Sequence, residues 1–142
     1  MPNDPSTEAL IRRYLDAAAA GDHERIWSCY APNIVYEDTS VHQIYYGIEE
    51  TKKFYVTTMG ALDVHWVVEE MYATGSGFGI GGYMAGRHVR DLPGMPATDR
   101  EFKVACASIA DVRHGKIARN RDFWNNADLL EQLGFRTGKV SR

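Results

Sequence analysis

The hydrophobic period of this chain changes once, after Gly60, from helical to twofold, and stays twofold as far as Asn125. Leu62, Val64, Trp66 and Val68 alternate with Asp63, His65, Val67 and Glu69, as a half-buried strand requires. A second strand is predicted from about Ser76 to Arg90, with Phe78, Ile80, Met84 and His88 on one face and Tyr83 and Arg87 on the other. Its many glycines suit bulges and strong bending, and no Lys-Ser/Thr or following helix supports a phosphate-cradling loop. A third strand, Glu101 to Arg113, gathers Phe102, Val104, Cys106, Ser108, Ala110 and Val112 on one face. His114-Gly115 turns the chain into a fourth, Lys116 to Asn125, where Ala118, Asn120, Asp122 and Trp124 share a face.

The first sixty residues read as helices. Asp4-Pro5 is a capping carboxylate before a helix-compatible proline, and Leu10, Tyr14 and Ala17 keep helical spacing until Gly21 stops it. Asp22 caps a second helix bearing Ile26, Trp27 and Tyr30, which Pro32 prevents from continuing. Ile34 to Glu37 reads as a short strand, Asp38 to Gln43 as a loop, and Gly47 to Met59 as a third helix. Helices followed by a strand meander define an α+β domain, with a curved antiparallel sheet around three N-terminal helices and a short C-terminal helix.

A chain of 142 residues suits one domain, with a core of about residues 8–134 and a loose tail at 135–142. At this size roughly 68–70% of the unfolded surface is buried, enough for a core with a cavity. A net charge of −3 with 16 scattered Lys and Arg gives no basic field for nucleic acid or an anionic membrane. No leader or membrane-length apolar run is evident, so a soluble, cytoplasmic protein is expected. Cys29 and Cys106 sit singly in apolar runs, as small buried side chains do. His42, His65 and His88 lie at no metal-ligand spacing, and no metal or other cofactor is expected.

Asp122 is an acid on a strand among aromatics: either a solvated strand residue or a carboxylate in an apolar pocket with a shifted pKa, as a general base requires. The run from Gly115-Lys116-Ile117 through Asp122 to Leu129-Leu130-Glu131-Gln132-Leu133-Gly134 resembles the C-terminal signature of the SnoaL-like polyketide cyclases. Gly86-Arg87-His88 and the Leu92 to Arg100 hairpin look like the same family's motifs, with Asp99 where Gly is usual. Arg13-Tyr14, Ala20-Gly21-Asp22 and Val35-Tyr36-Glu37-Asp38 are similar to the related ketosteroid isomerases, members of the same nuclear transport factor 2-like superfamily.

This resemblance implies a cone-shaped fold with an apolar pocket between sheet and helices, and places Asp122 at the cyclases' acid/base. It also matches Asp38 to the isomerases' general base and Tyr14 to their oxyanion donor. Ser108 stands where those relatives carry a His or an oxyanion-binding Asp. The chemistry is coherent without the family: a carboxylate removes a proton beside a carbonyl while a buried phenol donates to the enolate oxygen. Asp38 in Glu37-Asp38-Thr39-Ser40 also fits an ordinary turn. The Arg121-Asp122-Phe123-Trp124 string looks like the limonene epoxide hydrolases, but Tyr83, Met84 and Ala85 replace the second Asp that they need.

Asp122 and Asp38 are therefore the candidate acid/base residues, with Tyr14 and His88 beside them. Ser108, Trp27, Tyr30, Tyr46, Phe54, Tyr55, Met84 and Trp124 are candidate substrate contacts, since flat rings favour flat, apolar, aromatic or polycyclic ligands. The expected activity is cofactor-independent isomerisation, cyclisation, dehydration or retro-aldol cleavage of a small hydrophobic carbonyl or hydroxyl compound. The alternative is a binding or association domain of the same fold. Apolar residues on both strand faces, such as Val67 beside Trp66 and Ile109 beside Ser108, predict a homodimer.

Overall fold

The Asp4 carboxylate accepts a hydrogen bond from Thr7 N at 3.0 Å and opens α1 (Pro5–Ala20), which ends at Gly21 with φ 67°. Leu10, Ile11, Tyr14 and Ala17 form its buried stripe. The computed structural model of the protein describes residues 2–135. Asp22 caps α2 (His23–Ser28) by accepting from Arg25 N. That helix is shorter than its spacing predicts: Tyr30 and Pro32 belong to β1 (Tyr30–Asp38). A proline has no amide to give a ladder, and its pairing there is irregular between Tyr30 and Val35.

The remaining elements are β2 (Gln43–Tyr46), α3 (Gly47–Phe54), a π turn (Tyr55–Met59), β3 (His65–Thr74), β4 (Gly77–Arg87), β5 (Glu101–Arg113), β6 (Lys116–Trp124) and α4 (Asn126–Gln132). The expected third helix thus splits into an α and a π segment, and β3 starts later than its alternation suggests because Leu62 and Asp63 still belong to the turn. The six strands run in the order β2-β1-β6-β5-β4-β3. The sheet is mixed rather than antiparallel, because β1 pairs in parallel with β6 after a crossover through the rest of the chain. No helix among the described residues is long and apolar enough to cross a membrane.

A β-bulge bends β3 where it meets β4. Register shifts in β3 between Val68 and Glu70 leave Glu69 unpaired opposite Gly81-Gly82 of β4. A Cβ on Gly82 would collide with the Val67 carbonyl oxygen and stand 3.0 Å from Glu69 N. Gly82→Ala is therefore expected to cost about 3 kcal/mol, the upper range for forcing extra volume into a packed site. Urea unfolding of the variant measures it.

Register also assigns residues to transverse rows, since paired positions on neighbouring strands share a face. One inner row reads Asp38, Asp122, Ser108, Ile80, Met71 from β1 to β3, and the next reads Tyr36, Asn120, Ala110, Phe78, Ala73. In β6 a further irregularity, opposite Asp111 and Val112, shifts the phase. Ile117 rather than Ala118 is consequently buried, while Asn120 and Asp122 keep their inward direction. The helices cover this inner face with a large core around Ile11, Ile26, Ile34 and Tyr36. A second cluster, Leu62, Met84, Phe102, Val104, Cys106, Leu129 and Leu133, lies under α4, and Trp66 packs against both.

Candidate active site

Two carboxylates meet in the first inner row. Asp38 closes β1 and Asp122 lies beside it in parallel register, so their backbones are one strand spacing apart, about 4.8 Å. Thr39 ties the two strand ends together by donating from both N and Oγ1 to the Asp122 carbonyl oxygen, at 3.0 and 2.7 Å. Ser40 adds a clamp: its Oγ donates to Trp124 O at 2.6 Å and accepts from Trp124 N at 2.8 Å.

The two acids differ in how they are held. In Asp122, Oδ1 accepts from Ser108 Oγ at 2.6 Å and Asn120 Nδ2 at 2.8 Å, while Oδ2 accepts from the Tyr36 hydroxyl. Burial raises its pKa, against the pull of the Ser108, Tyr36 and Asn120 donors. In Asp38, Oδ1 accepts from Trp124 Nε1 at 2.8 Å and Ser40 N at 3.2 Å, leaving Oδ2 without a hydrogen-bond partner among the described residues. Burial, and then the neighbouring Asp122 charge, raise the Asp38 pKa to about 6 despite those two donors. The Asp38 charge in turn helps raise the pKa of Tyr45, after burial. Tyr45 stacks on Phe54, with ring centroids 4.5 Å apart and an interplanar angle of 26°.

Three further phenols meet on the helical side. Tyr30 donates to the Tyr14 hydroxyl at 3.2 Å, and Tyr14 and Tyr55 share a hydrogen bond of 3.2 Å. Burial pushes Tyr14 and Tyr30 well above the ordinary phenol pKa and Tyr55 up to about 12, so all three stay neutral donors near pH 7. Trp27 meets Tyr55 edge-on at 5.4 Å, and Tyr36 packs between Tyr30 and Phe54. This arrangement brings together a buried carboxylate pair, a set of neutral donors and aromatic walls.

Nine of the twelve sequence-predicted residues lie at the carboxylate pair or in the core beside it, and Tyr46, His88 and Met84 lie elsewhere. Tyr46 is 62% exposed, because β2 is the sheet edge and its side chain points away from the core. His88 is fully buried but lies beyond β4, eight positions from Ile80 opposite Ser108, or about 26 Å along the strand at about 3.3 Å per residue. Its Nδ1 accepts from Thr98 N at 3.3 Å and faces Thr98 Oγ1 at 3.2 Å, which anchors the 88–100 connection and separates it from the carboxylate pair. Asp99 in that connection has φ 60°, which explains why glycine suits the position. Met84 belongs to the second cluster, opposite Trp66. Tyr36 and Asn120 were missed as site residues, although each stands two positions before an acid and so shares its strand face.

Among the described residues no group of His, Cys, Asp and Glu is placed to hold a metal, and both cysteines are buried and free.

The chain belongs to the SnoaL-like domain family, which it matches over residues 11–120. It is similar in structure to a putative polyketide cyclase from Silicibacter sp. TM1040, with 22% identity, full coverage of both chains and a TM-score of 0.81. A putative SnoaL-like polyketide cyclase from Jannaschia sp. CCS1 gives 16% identity, 94% coverage of each chain and a TM-score of 0.83. A hypothetical protein with a ketosteroid isomerase-like fold from Catenulispora acidiphila, solved in complex with trimethylamine, gives 16% identity, coverage of 93% of this chain and 97% of that one, and a TM-score of 0.77. No curated protein matches the sequence.

Proposed function

We propose that the protein is an enzyme that enolises a small hydrophobic carbonyl compound with its own side chains. Asp38 Oδ2 takes a proton from the carbon beside the carbonyl; the C–H electron pair moves into the new carbon–carbon double bond and the carbonyl oxygen gains negative charge. The Tyr14–Tyr55 phenols donate to that oxygen. Asp38 then returns the proton at another carbon, which is isomerisation, or the enolate carbon attacks a second carbonyl and the alkoxide so formed takes the proton back from Asp38, which is aldol cyclisation. The observation that carries this reading is the buried Asp38 carboxylate with one oxygen fixed by Trp124 and Ser40 and the other unengaged. General-base catalysis needs a pKa near the working pH, and the shift to about 6 supplies it. The likeness in fold to proteins described as putative polyketide cyclases fits a carbonyl-bearing substrate.

The test needs no knowledge of the natural substrate. Aryl ketones, β-diketones and polycyclic ketones are incubated in D2O and their α-deuteration is followed by NMR. Exchange above the buffer rate that disappears in Asp38→Asn supports the reading. Tight binding of panel members with no exchange in any of them favours a binding domain instead.

The proposal extends to a homodimer through the outer sheet face. Val67, Tyr72 and Ile109 are 40%, 66% and 46% exposed there, in rows with Tyr83, Ala105 and Gly79. Acidic Glu70 flanks the patch on β3 and basic Arg121 flanks it on β6, where Arg119 already pairs with Glu37 at 3.8 Å. A two-fold axis along the strands sets the acidic flank of one copy toward the basic flank of the other. Sedimentation should give twice the 16.0 kDa chain mass, and Ile109→Glu should dissociate it. A 16.0 kDa species alone at micromolar concentration overturns this.

A further inference from the structure

A cavity of about 190 Å³ opens where the end of α1 meets α2, the π turn and the start of the 88–100 connection. Buried Ile26, Tyr55 and Met59 give it an apolar floor, while exposed Arg90 and Asp63 stand on its rim. The π turn shapes that floor: Gly60 N donates to Tyr55 O at 3.0 Å, and the turn buries both Tyr55 and Met59. An apolar cavity of about 150 Å³ holds benzene, so this one takes a single six-membered ring.

Arg90 is built into the rim. Its backbone N donates to Ala61 O at 3.2 Å and its Nη2 to Val56 O at 2.9 Å, so the side chain is held at both ends. Gly60 leaves room for it, since a Cβ there would stand 2.6 Å from Nη2. Among the described residues Arg90 forms no ion pair, with Asp63 or any other acid, and the other N–H groups of its guanidinium have no acceptor. A planar guanidinium fork fixed beside an apolar ring site matches a carboxylate, which accepts two parallel hydrogen bonds from it. Tyr55 joins this cavity to the phenol network, because it lines the one while its hydroxyl meets that of Tyr14 at 3.2 Å.

We propose that the cavity seats the ring of a monocyclic aromatic acid and that Arg90 holds its carboxylate. Arg90 is then a specificity-determining residue, and the substrate class narrows to acyl-substituted aromatic acids, with the acid end at Arg90 and the ketone on the Tyr55 side. That these acids are substrates rests on the Asp38 reading, whereas the carboxylate seat is measurable without turnover.

4-Acetylbenzoate is the probe, with methyl 4-acetylbenzoate and 4-acetylbenzamide as uncharged controls. Calorimetry at pH 8 gives affinity, and deuteration of the acetyl group in D2O, followed by NMR, gives turnover. The wild type should bind the acid at least about tenfold more tightly than either control, as for hydrogen bonds to a charged group, and Arg90→Gln should remove that preference. For exchange, Arg90→Gln should raise the KM of the acid about tenfold and leave kcat near the wild-type value, the mark of lost uniform binding. Asp63→Asn should tighten binding of the acid alone, by up to about fivefold, as the loss of an exposed like charge does. Asparagine tolerates the φ of 45° at that position, so this variant keeps the test sound where Arg90→Gln folds poorly. Equal affinity for acid, ester and amide in the wild type, with exchange that still needs Asp38, overturns the carboxylate seat and leaves the Asp38 reading in place. Arg90-dependent binding of the acid without exchange in it or in any other ketone supports the seat and overturns the Asp38 reading. Failure of all three compounds to bind overturns the seat.

Discussion

Asp38→Asn should lower α-hydrogen exchange by at least about a hundredfold, the range for a lost general base, and yet leave the protein more stable than the wild type at pH 8. The asparagine keeps the volume and still offers Trp124 Nε1 an oxygen acceptor, so what disappears is the basic electron pair on Oδ2. In the wild type the exchange rate should climb with pH and level off above about 6, as Asp38 ionises. The residual rate of the variant should show no such limb. A variant that keeps the limb near pH 6 with a normal rate removes Asp38 from the chemistry.

The stability half of that expectation follows from linkage. The folded-state pKa of Asp38, about 6, lies above the ordinary 3.8, so between these values the folded protein holds more protons than the unfolded chain. The contribution is fully present below about pH 4 and is lost as pH rises through about 6. A shift of roughly two units corresponds to nearly 3 kcal/mol at about 1.4 kcal/mol per unit, and partial solvent screening reduces it to ~1–2 kcal/mol. Asp38→Asn escapes that loss, and its advantage in urea unfolding should appear at pH 8 and vanish near pH 4. Lower activity with higher stability marks a residue kept for chemistry at some cost to the fold.

The parts of this fold legible in the sequence are those set by local alternation. β5 places Phe102, Val104, Cys106, Ser108, Ala110 and Val112 inward as its twofold period requires, with bounds of Glu101 and Arg113. The Asp4 and Asp22 caps and the Gly21 stop are equally local. What escaped the sequence depends on partners distant in the chain. Nothing near Ile34 announces that β1 lies parallel to β6, and the slip at Ile117 exists only because β5 lacks a matching residue. For the same reason Asp38 and Asp122 were each visible as candidate acids, whereas their adjacency and the unequal filling of their oxygens were not. Tyr36 went unnoticed because its partner, Asp122, is 86 positions away. The expected loose tail at 135–142 lies, apart from Phe135, outside the described residues.

Asp122 separates the two possible bases by the same physical logic. Asp122→Ala removes the carboxylate that satisfies Tyr36, Ser108 and Asn120, and leaves three buried donors facing a small cavity. Each orphaned donor costs about 1–3 kcal/mol. Relief from burying a charge offsets part of this, so a net loss of ~3–5 kcal/mol is expected, at the upper end for single substitutions. Asp122→Asn is the milder probe. Its amide oxygen still accepts, its amide nitrogen donates, and the Tyr36 or Ser108 hydroxyl can turn to accept it. With the like charge gone, Asp38 should ionise more easily, and the acid limb of the exchange rate should move below pH 6. Substantial activity with a shifted limb identifies Asp122 as the residue that tunes and positions Asp38. Loss of activity as deep as in Asp38→Asn, in a protein that remains folded and binds the panel ketones normally, transfers the role of base to Asp122.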